Sequence, residues 1–402
     1  MNLLGPILAF FTTSLLIVLL RPFAKSIGLV DVPSKRKHHQ GNIPLIGGLA
    51  IFVGSTATFV AHYSFNDLGV SIGESLQLPA LFAAAFLLIV IGMWDDYAGL
   101  PPVVRFAAQI TATLVMIFGG GVVLADLGNL SPTGGVLFLG FLSIPFTIFS
   151  CLGIINAMNM SDGLDGLSGS LALIALLGLG VANFLWGDVD NQVLIVTVAA
   201  CVFSFLMFNL RTVWRSNAWV FLGDAGSMLL GLMLCWLLID MSQGEHRVVS
   251  PAAALWFLMV PTYDTVTLML RRIMRKRSPF EADREHLHHI FLLAGFSVGE
   301  SVTLMCGIAV IGVVIGLGGT YLGAHDLFLG SLFLAGGGAY FWVINRSWRV
   351  MRFLRRSINR RGTRFDRREI IDRRIDQDPT YAGPERRSGT DRRKVPSRRE
   401  QC

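Results

Sequence analysis

Five polar blocks interrupt an otherwise apolar chain, and their residue types suit phosphate and metal chemistry. Asp95-Asp96 closes the apolar run Leu87–Trp94. Adjacent carboxylates repel, and burial disfavours their charge further, unless a cation lies between them. A solvated helix end is the plainer alternative for this pair. Asn156, Asn159, Asp162 and Asp165 recur at every third position, with Gly163 and Gly166 among them. On a regular α-helix this spacing fans side chains apart by about 60° per step, and the glycines disfavour a helix. A tight irregular turn would gather them into a set of hard oxygen donors, the kind Mg²⁺ takes alongside substrate phosphates. The alternative is a helix start capped by Asp165 or Ser168. Phe221-Leu222-Gly223-Asp224-Ala225-Gly226-Ser227 opens a further apolar run. Free N–H groups at a helix start attract phosphate. Asp224 there repels a bare phosphate and accepts a metal-bound one, unless it is a simple N-cap.

The fourth block is Asp283-Arg284-Glu285-His286-Leu287-His288-His289, which follows the basic run Arg271–Arg277. Three histidines and an arginine can grip a diphosphate through charge-assisted hydrogen bonds. Zinc fits less well, because no Cys is near and the partner carboxylates suit a hard cation. A solvated basic loop is the remaining alternative. The fifth block, Asp31–Gly48, mixes Pro33, Pro44, Gly47 and Gly48 with Lys35, Arg36, Lys37, His38 and His39. It is either part of the same site or the ordinary basic dressing of a membrane loop. Together the blocks describe a Mg²⁺-dependent site for an anionic, phosphate-bearing substrate.

The elements that hold these blocks are membrane spans. The 402 residues are 53% hydrophobic and 15% charged, with mean hydropathy +0.58. Soluble domains carry about 25% charged residues, so a soluble enzyme is excluded, as is a disulfide scaffold with 5 Cys. A spanning helix needs roughly 20 apolar residues. Eleven candidate segments follow, at about 2–20, 44–63, 78–93, 103–121, 136–154, 167–186, 193–208, 225–240, 251–270, 301–322 and 326–345. The fold class expected is therefore an all-α polytopic membrane protein of about eleven transmembrane helices. Of the 34 Lys and Arg, all but Arg247 fall in the tail or in one set of loops. The positive-inside bias makes that set cytoplasmic, with the C-terminus inside and the N-terminus outside. All five blocks lie at the cytoplasmic ends of the spans.

At this point the sequence resembles the polyprenyl-phosphate N-acetylhexosamine-1-phosphate transferases. Their patterns D-x-P-x-x-R-K-x-H-x-x-x-x-P-x-x-G-G, D-D, N-x-x-N-x-x-D-G-x-D-G-L, G-D-x-G-S and H-x-H-H occur here in order between Asp31 and His289. The stretch from Ser278 to His289 looks like the bacterial branch that begins O-antigen, common-antigen or teichoic acid linkage synthesis. The resemblance implies attack by undecaprenyl phosphate on the sugar-bearing phosphorus of a UDP-N-acetylhexosamine, UDP-N-acetylglucosamine before other hexosamine donors, with loss of UMP. It implies a multi-pass protein of the bacterial inner membrane, with its active site on the cytoplasmic face. It implies Mg²⁺, or Mn²⁺ in its place, held by Asp224 and Asn159. Asp95, Asp96, Asp162 and Asp165 are the expected catalytic carboxylates. Lys37, His39, Phe221, Arg284, His286, His288 and His289 are the expected substrate-binding residues. An Asn that contacts uracil in some relatives has two candidates here, Asn209 and Asn217, at spacings that match neither securely.

Two rival classes fit the sequence less well. A transporter would place its ionisable groups near the midplane and often shows a two-halves repeat, and neither pattern is present. An intramembrane aspartyl protease is echoed by Tyr263-Asp264 and Gly223-Asp224, but in reversed order and with Phe at 221. The domain organisation expected is a transmembrane transferase domain, 1–345, and a basic cytoplasmic tail, 346–402. The tail holds 19 basic and 8 acidic residues, net +11. Its first part, to about 361, places Val350, Met351, Leu354 and Ile358 on one helical face, suited to anionic lipid. The repeated Asp/Glu-Arg-Arg units beyond it are poor in apolar residues, so disorder is expected there. Anionic lipids, and no nucleic acid, are the expected partners of the tail.

Overall fold

A computed structural model describes residues 4–32, 41–65, 77–131, 134–187, 189–212, 215, 217–245, 247–278 and 286–346. The chain divides into Met1–Arg352 and Phe353–Cys402. The second unit, with nearly all of the basic tail, lies outside the described residues, as do Lys37, His39 and Arg284.

The described chain is mainly helical. In order it runs α1 (Leu4–Ile27), β1 (Val30–Asp31), β2 (Ile43–Pro44), α2 (Gly47–Phe65), α3 (Gln77–Ala98), α4 (Pro102–Gly120), α5 (Ser143–Met160), α6 (Leu167–Trp186) and α7 (Val189–Asn209). It continues with α8 (Gly223–Asp240), α9 (Pro251–Phe257), α10 (Met259–Met274), α11 (Leu287–Ala294), α12 (Val298–Tyr321) and α13 (Asp326–Asn345). Among the described residues nine helices are long and apolar enough to cross a bilayer, or ten if α9 and α10 form one bent span. The segment expected near 44–63 is the shorter apolar stretch Gly47–Ala61 of α2.

Two expected spans need correction. The span placed at 136–154 runs from Gly140 to Met160, its first turn, Gly140–Leu142, being 3-10 helix and the rest α5. Residues leading up to Gly140 form an irregular strap in which Asp126 bridges Phe138, and Gly134 and Gly140 take left-handed backbone angles. The span placed at 251–270 is broken at Leu258, and its halves diverge by 87°. Pro261 cannot donate to the Phe257 carbonyl, so the hydrogen-bond ladder is interrupted there.

Helix α8 is the hub. Of its 18 residues, all but Asp224 and Asp240 are buried, as expected of a helix that is apolar all round. It packs against α2, α3, α5 and α6. Close approach rests on glycine. A Cβ on Gly48 of α2 would strike the backbone of Gly226, and one on Gly92 of α3 would strike that of Ala225. Without side chains at these points the backbones meet directly, the usual means of packing helices inside a bilayer. Both contacts fall at the first turn of α8, so they fix the height at which Asp224 stands relative to the end of α3.

Candidate active site

The start of α8 is built by three other segments. Pro44 and Leu45 run beside Phe221, with Phe221 N–H donating to the Pro44 carbonyl at 2.8 Å and Gly47 N–H to the Phe221 carbonyl at 3.0 Å. Gly223 then turns the chain with φ of 75°, a conformation that favours glycine. Asp96, at the end of α3, accepts from the Asp224 N–H at 2.9 Å and the Ala225 N–H at 3.3 Å. The orphan donors of a helix start are thus served by a carboxylate from another helix, and Asp224 is left with its side chain free of capping duty. Asp224 Oδ1 instead accepts from Asn159 Nδ2 at 2.7 Å, and Asn159 also donates to the Ser227 hydroxyl at 2.9 Å. The Asp224 carboxylate remains about a third exposed, at 37%.

The adjacent pair divides its work. Asp95 is buried, accepting from Leu100 N–H at 2.6 Å and from Arg105 Nη1 at 3.0 Å. Arg105 also reaches Asp224 Oδ2 at 3.7 Å. Asp95 therefore holds a guanidinium beside the exposed carboxylate, while Asp96 lies at the backbone of Asp224 itself. The 159–166 turn separates its residues too. Asn159 and Asp162 gather at Asp224. Asn156 turns away to Gln109 Oε1 at 2.7 Å, and Asp165 pairs with Arg211 Nε at 2.7 Å. Removal from water, then the charges of Asp224, Asp96 and Asp165, holds the Asp162 carboxyl well above the usual carboxylate range.

This donor set fits a hard divalent cation. The carboxylates of Asp224, Asp96 and Asp162 lie near one another, with the Asn159 amide bonded to Asp224, and the repulsion among the carboxylates falls when a cation lies between them. A second cluster, Asp264, His286 and His288, brings its ligand atoms within 4.8 Å of one another. It suits Mg²⁺ less well, because two of its three groups are imidazoles, and Asp264 is already engaged by three donors. Its oxygens accept from His286 Nδ1 at 2.8 Å, Leu287 N–H at 3.0 Å and the Tyr340 hydroxyl at 2.8 Å. This carboxylate on the bent helix α10 thereby pins the start of α11 and the first histidine of the block.

The histidines reach the turn through Gly163. A Cβ there would strike the His288 ring, so the missing side chain lets α11 close onto the 159–166 turn. Burial, with His289 and His286 nearby, pushes His288 down to about 3. It is therefore neutral near pH 7, as is needed for a ring wedged against the turn. Gly163→Ala is expected to force His288 aside and lower turnover about tenfold or more, on the scale of a misplaced contact distant from the reacting bond. Gly153→Ala, whose new methyl meets nothing within 4 Å, is the control, and equal steady-state rates for the two variants would contradict the contact's importance.

The match with known proteins follows this geometry. A family model, glycosyl transferase family 4, matches residues 78–242. The undecaprenyl-phosphate alpha-N-acetylglucosaminyl 1-phosphate transferase of Escherichia coli K12 is 33% identical over 351 residues, 86% of this chain and 92% of that protein. The Haemophilus influenzae protein of the same name is 33% identical over 367 residues, 90% of this chain and 99% of its own. That of Salmonella typhimurium is 34% identical over 350 residues. The chain belongs to glycosyl transferase family 4. The family match covers Asp95, Asp96, Asn159, Asp162, Asp165 and Asp224, and α11 with its histidines lies beyond it.

Some residues of this family 4 site escape sequence reading. Arg105 is visible only as a charge inside an apolar run, and its partners Asp95 and Asp224 come from two other helices. Asp264 carried a signal of the same kind, an ionisable group in a span, which marks a functional position by default. Asn209 is buried. It accepts from Gly166 N–H at 2.7 Å and donates to the Val220 carbonyl at 2.8 Å, tying the two site loops together. Its side chain thus serves the scaffold. Phe221 is half-buried beside Leu45.

Proposed function

We propose that this protein transfers N-acetylglucosamine 1-phosphate from UDP-N-acetylglucosamine to undecaprenyl phosphate, giving undecaprenyl-diphosphate-N-acetylglucosamine and UMP, as the first membrane step of a cell-surface polysaccharide. The observation that carries this reading is the knot of Asp224, Asn159, Asp96 and Asp162 at the end of a bundle of apolar helices. The names of the relatives supply the donor and acceptor classes. The eleven-span topology with the N-terminus outside, the cytoplasmic placement of the site, the bacterial inner membrane and the division at 345/346 belong to the same proposal.

The chemistry needs little from the protein beyond position and charge. A phosphate monoester has a second pKa near about 6, so the lipid phosphate is largely dianionic near neutral pH and needs no general base. Its oxygen attacks the sugar-bearing phosphorus. The bond from that phosphorus to the bridging oxygen breaks, and UMP carries away the electron pair. Asp224 and Asn159, with Asp96 and Asp162 near, would hold a divalent cation, Mg²⁺ or Mn²⁺, which would supply charge neutralisation for the diphosphate. Asp95 holds Arg105 toward the same oxygens. Asp96 orients the lipid phosphate, and Asp162, Asp165 and Phe221 line the nucleotide side with Lys37 and His39. Arg284, His286, His288 and His289 close over the diphosphate and sugar. His288 contributes as a neutral ring, since its cation is disfavoured down to about pH 3.

The test is a donor panel with the purified protein, undecaprenyl phosphate and Mg²⁺, with UMP release measured. Release that requires the lipid phosphate and favours UDP-N-acetylglucosamine over UDP-N-acetylgalactosamine is expected. The opposite ranking would overturn the donor, and no release from any UDP-sugar would overturn the reaction.

A further inference from the structure

A cationic site lies on α1, at the same end of the protein as the Asp224 carboxylates. A cavity of about 240 Å³ is lined by Ile17, Val18, Arg21, Pro22, Lys25 and Trp219. Five of these residues form one stripe of α1, spaced at 17, 18, 21, 22 and 25, and Trp219 closes it from the loop before α8. The guanidinium of Arg21 lies 4.6 Å from the centre of the Trp219 ring, and that of Arg215 lies 5.9 Å from it. Stacking on an indole leaves the N–H edge of a guanidinium open to hydrogen bonding. Arg21 Nε is buried and has no hydrogen-bond partner, and Arg215 Nε is in the same condition. Buried donors are rarely left unpaired. Arg215 uses its outer nitrogen on the Met207 and Leu210 carbonyls at the end of α7, whereas Arg21 meets no such acceptor among the described residues.

We propose that this cavity binds the phosphate headgroup of an anionic glycerophospholipid. The stripe is graded in the order such a lipid presents itself. Ile17 and Val18 lie deepest along the apolar span, Arg21 follows one turn later, and exposed Lys25 stands one turn beyond, near the helix end. At about 1.5 Å per residue the stripe is roughly 12 Å long, enough for the first methylenes of an acyl chain, the glycerol and the phosphate. Trp219 is half exposed beside it, and indoles favour the boundary between hydrocarbon and water. The phosphate would accept from the Arg21 guanidinium and meet Lys25, supplying the anion this cationic edge lacks. The site shares none of its lining residues with the Asp224 knot, and it stands whether or not the proposed reaction is correct.

Native mass spectrometry of the full chain in detergent tests this, with phosphatidylglycerol and phosphatidylcholine of matched chains as probes. Arg21→Gln/Lys25→Gln is expected to bind its first phosphatidylglycerol about tenfold more weakly than wild type, in line with two lost cation–headgroup contacts. Phosphatidylcholine binding is expected to stay unchanged. Lys25→Gln alone, at an exposed position that folding does not depend on, is expected to weaken phosphatidylglycerol binding severalfold. Lys276→Gln/Arg277→Gln, which removes two exposed charges elsewhere, is expected to match wild type. Equal weakening by that control pair would reduce the effect to general charge and overturn the site. So would unchanged phosphatidylglycerol binding by both pocket variants, displacement of the lipid by millimolar inorganic phosphate, or preferential occupation by undecaprenyl phosphate.

Discussion

Asp224→Asn is expected to abolish sugar-phosphate transfer, lowering turnover by about a thousandfold or more, or roughly 4 kcal/mol of transition-state stabilisation. The change keeps the size of the side chain, and its Oδ1 can still accept from Asn159 Nδ2. What it removes is the negative charge at the exposed edge that faces Arg105 and gives the site its affinity for a hard cation. The backbone N–H groups of Asp224 and Ala225 remain bonded to Asp96, so α8 keeps its start and its packing. The measurement is turnover across a Mg²⁺ titration, beside the thermal unfolding midpoint in detergent. A variant that turns over near the wild-type rate at ordinary Mg²⁺ would remove Asp224 from the metal site.

The second large effect is expected at Asp264, which holds the histidine block in place. Asp264→Asn leaves one oxygen for three donors, His286 Nδ1, Leu287 N–H and the Tyr340 hydroxyl, and turns an amide N–H₂ toward at least one of them. An unpaired buried donor costs about 1–3 kcal/mol. Here that cost is relieved by letting α11 drift, which moves the histidines off the 159–166 turn. Turnover is expected to fall about a hundredfold, the scale seen when the partner orienting a functional histidine is lost. Tyr340→Phe removes one of the three bonds and leaves the other two, so it is expected to cost less than about fivefold. Parallel steady-state assays and melting curves separate loss of positioning from loss of fold. Wild-type turnover by Asp264→Asn would show that His286 is not held through this carboxylate.

Much of the site was legible because its chemistry is written in short local motifs. Asp95-Asp96, the 156–166 turn and Gly223-Asp224 each carry their donors within a few residues, and hydropathy alone brings those segments to one end of the bundle. The glycines of these motifs were legible as turn signals. A second use of glycine, at Gly48, Gly92 and Gly163, is to admit a neighbour whose identity depends on the packed fold. The groups that were not legible act across helices distant in sequence. Arg105 meets Asp224 over more than a hundred residues, and Tyr340 meets Asp264 over 76. Nor does hydropathy register the break at Leu258, because the run 251–270 is apolar on both sides of it. A missing N–H at Pro261 bends that span by 87°, and Asp264 lies just past the bend. The separation within the Asp95-Asp96 pair was likewise hidden, since two identical neighbours differ only in what the fold places beside each.

Which bond of the donor breaks separates phosphoryl from glycosyl transfer. UDP-N-acetylglucosamine labelled separately in its α- and β-phosphorus, incubated with the protein, undecaprenyl phosphate and Mg²⁺, reads this directly. The β-phosphorus is expected in the lipid product and the α-phosphorus in free UMP, in equal amounts. Both labels leaving together as UDP, with unlabelled sugar on the lipid, would mean glycosyl transfer without its phosphate and would contradict the role given to the carboxylates around Asp224.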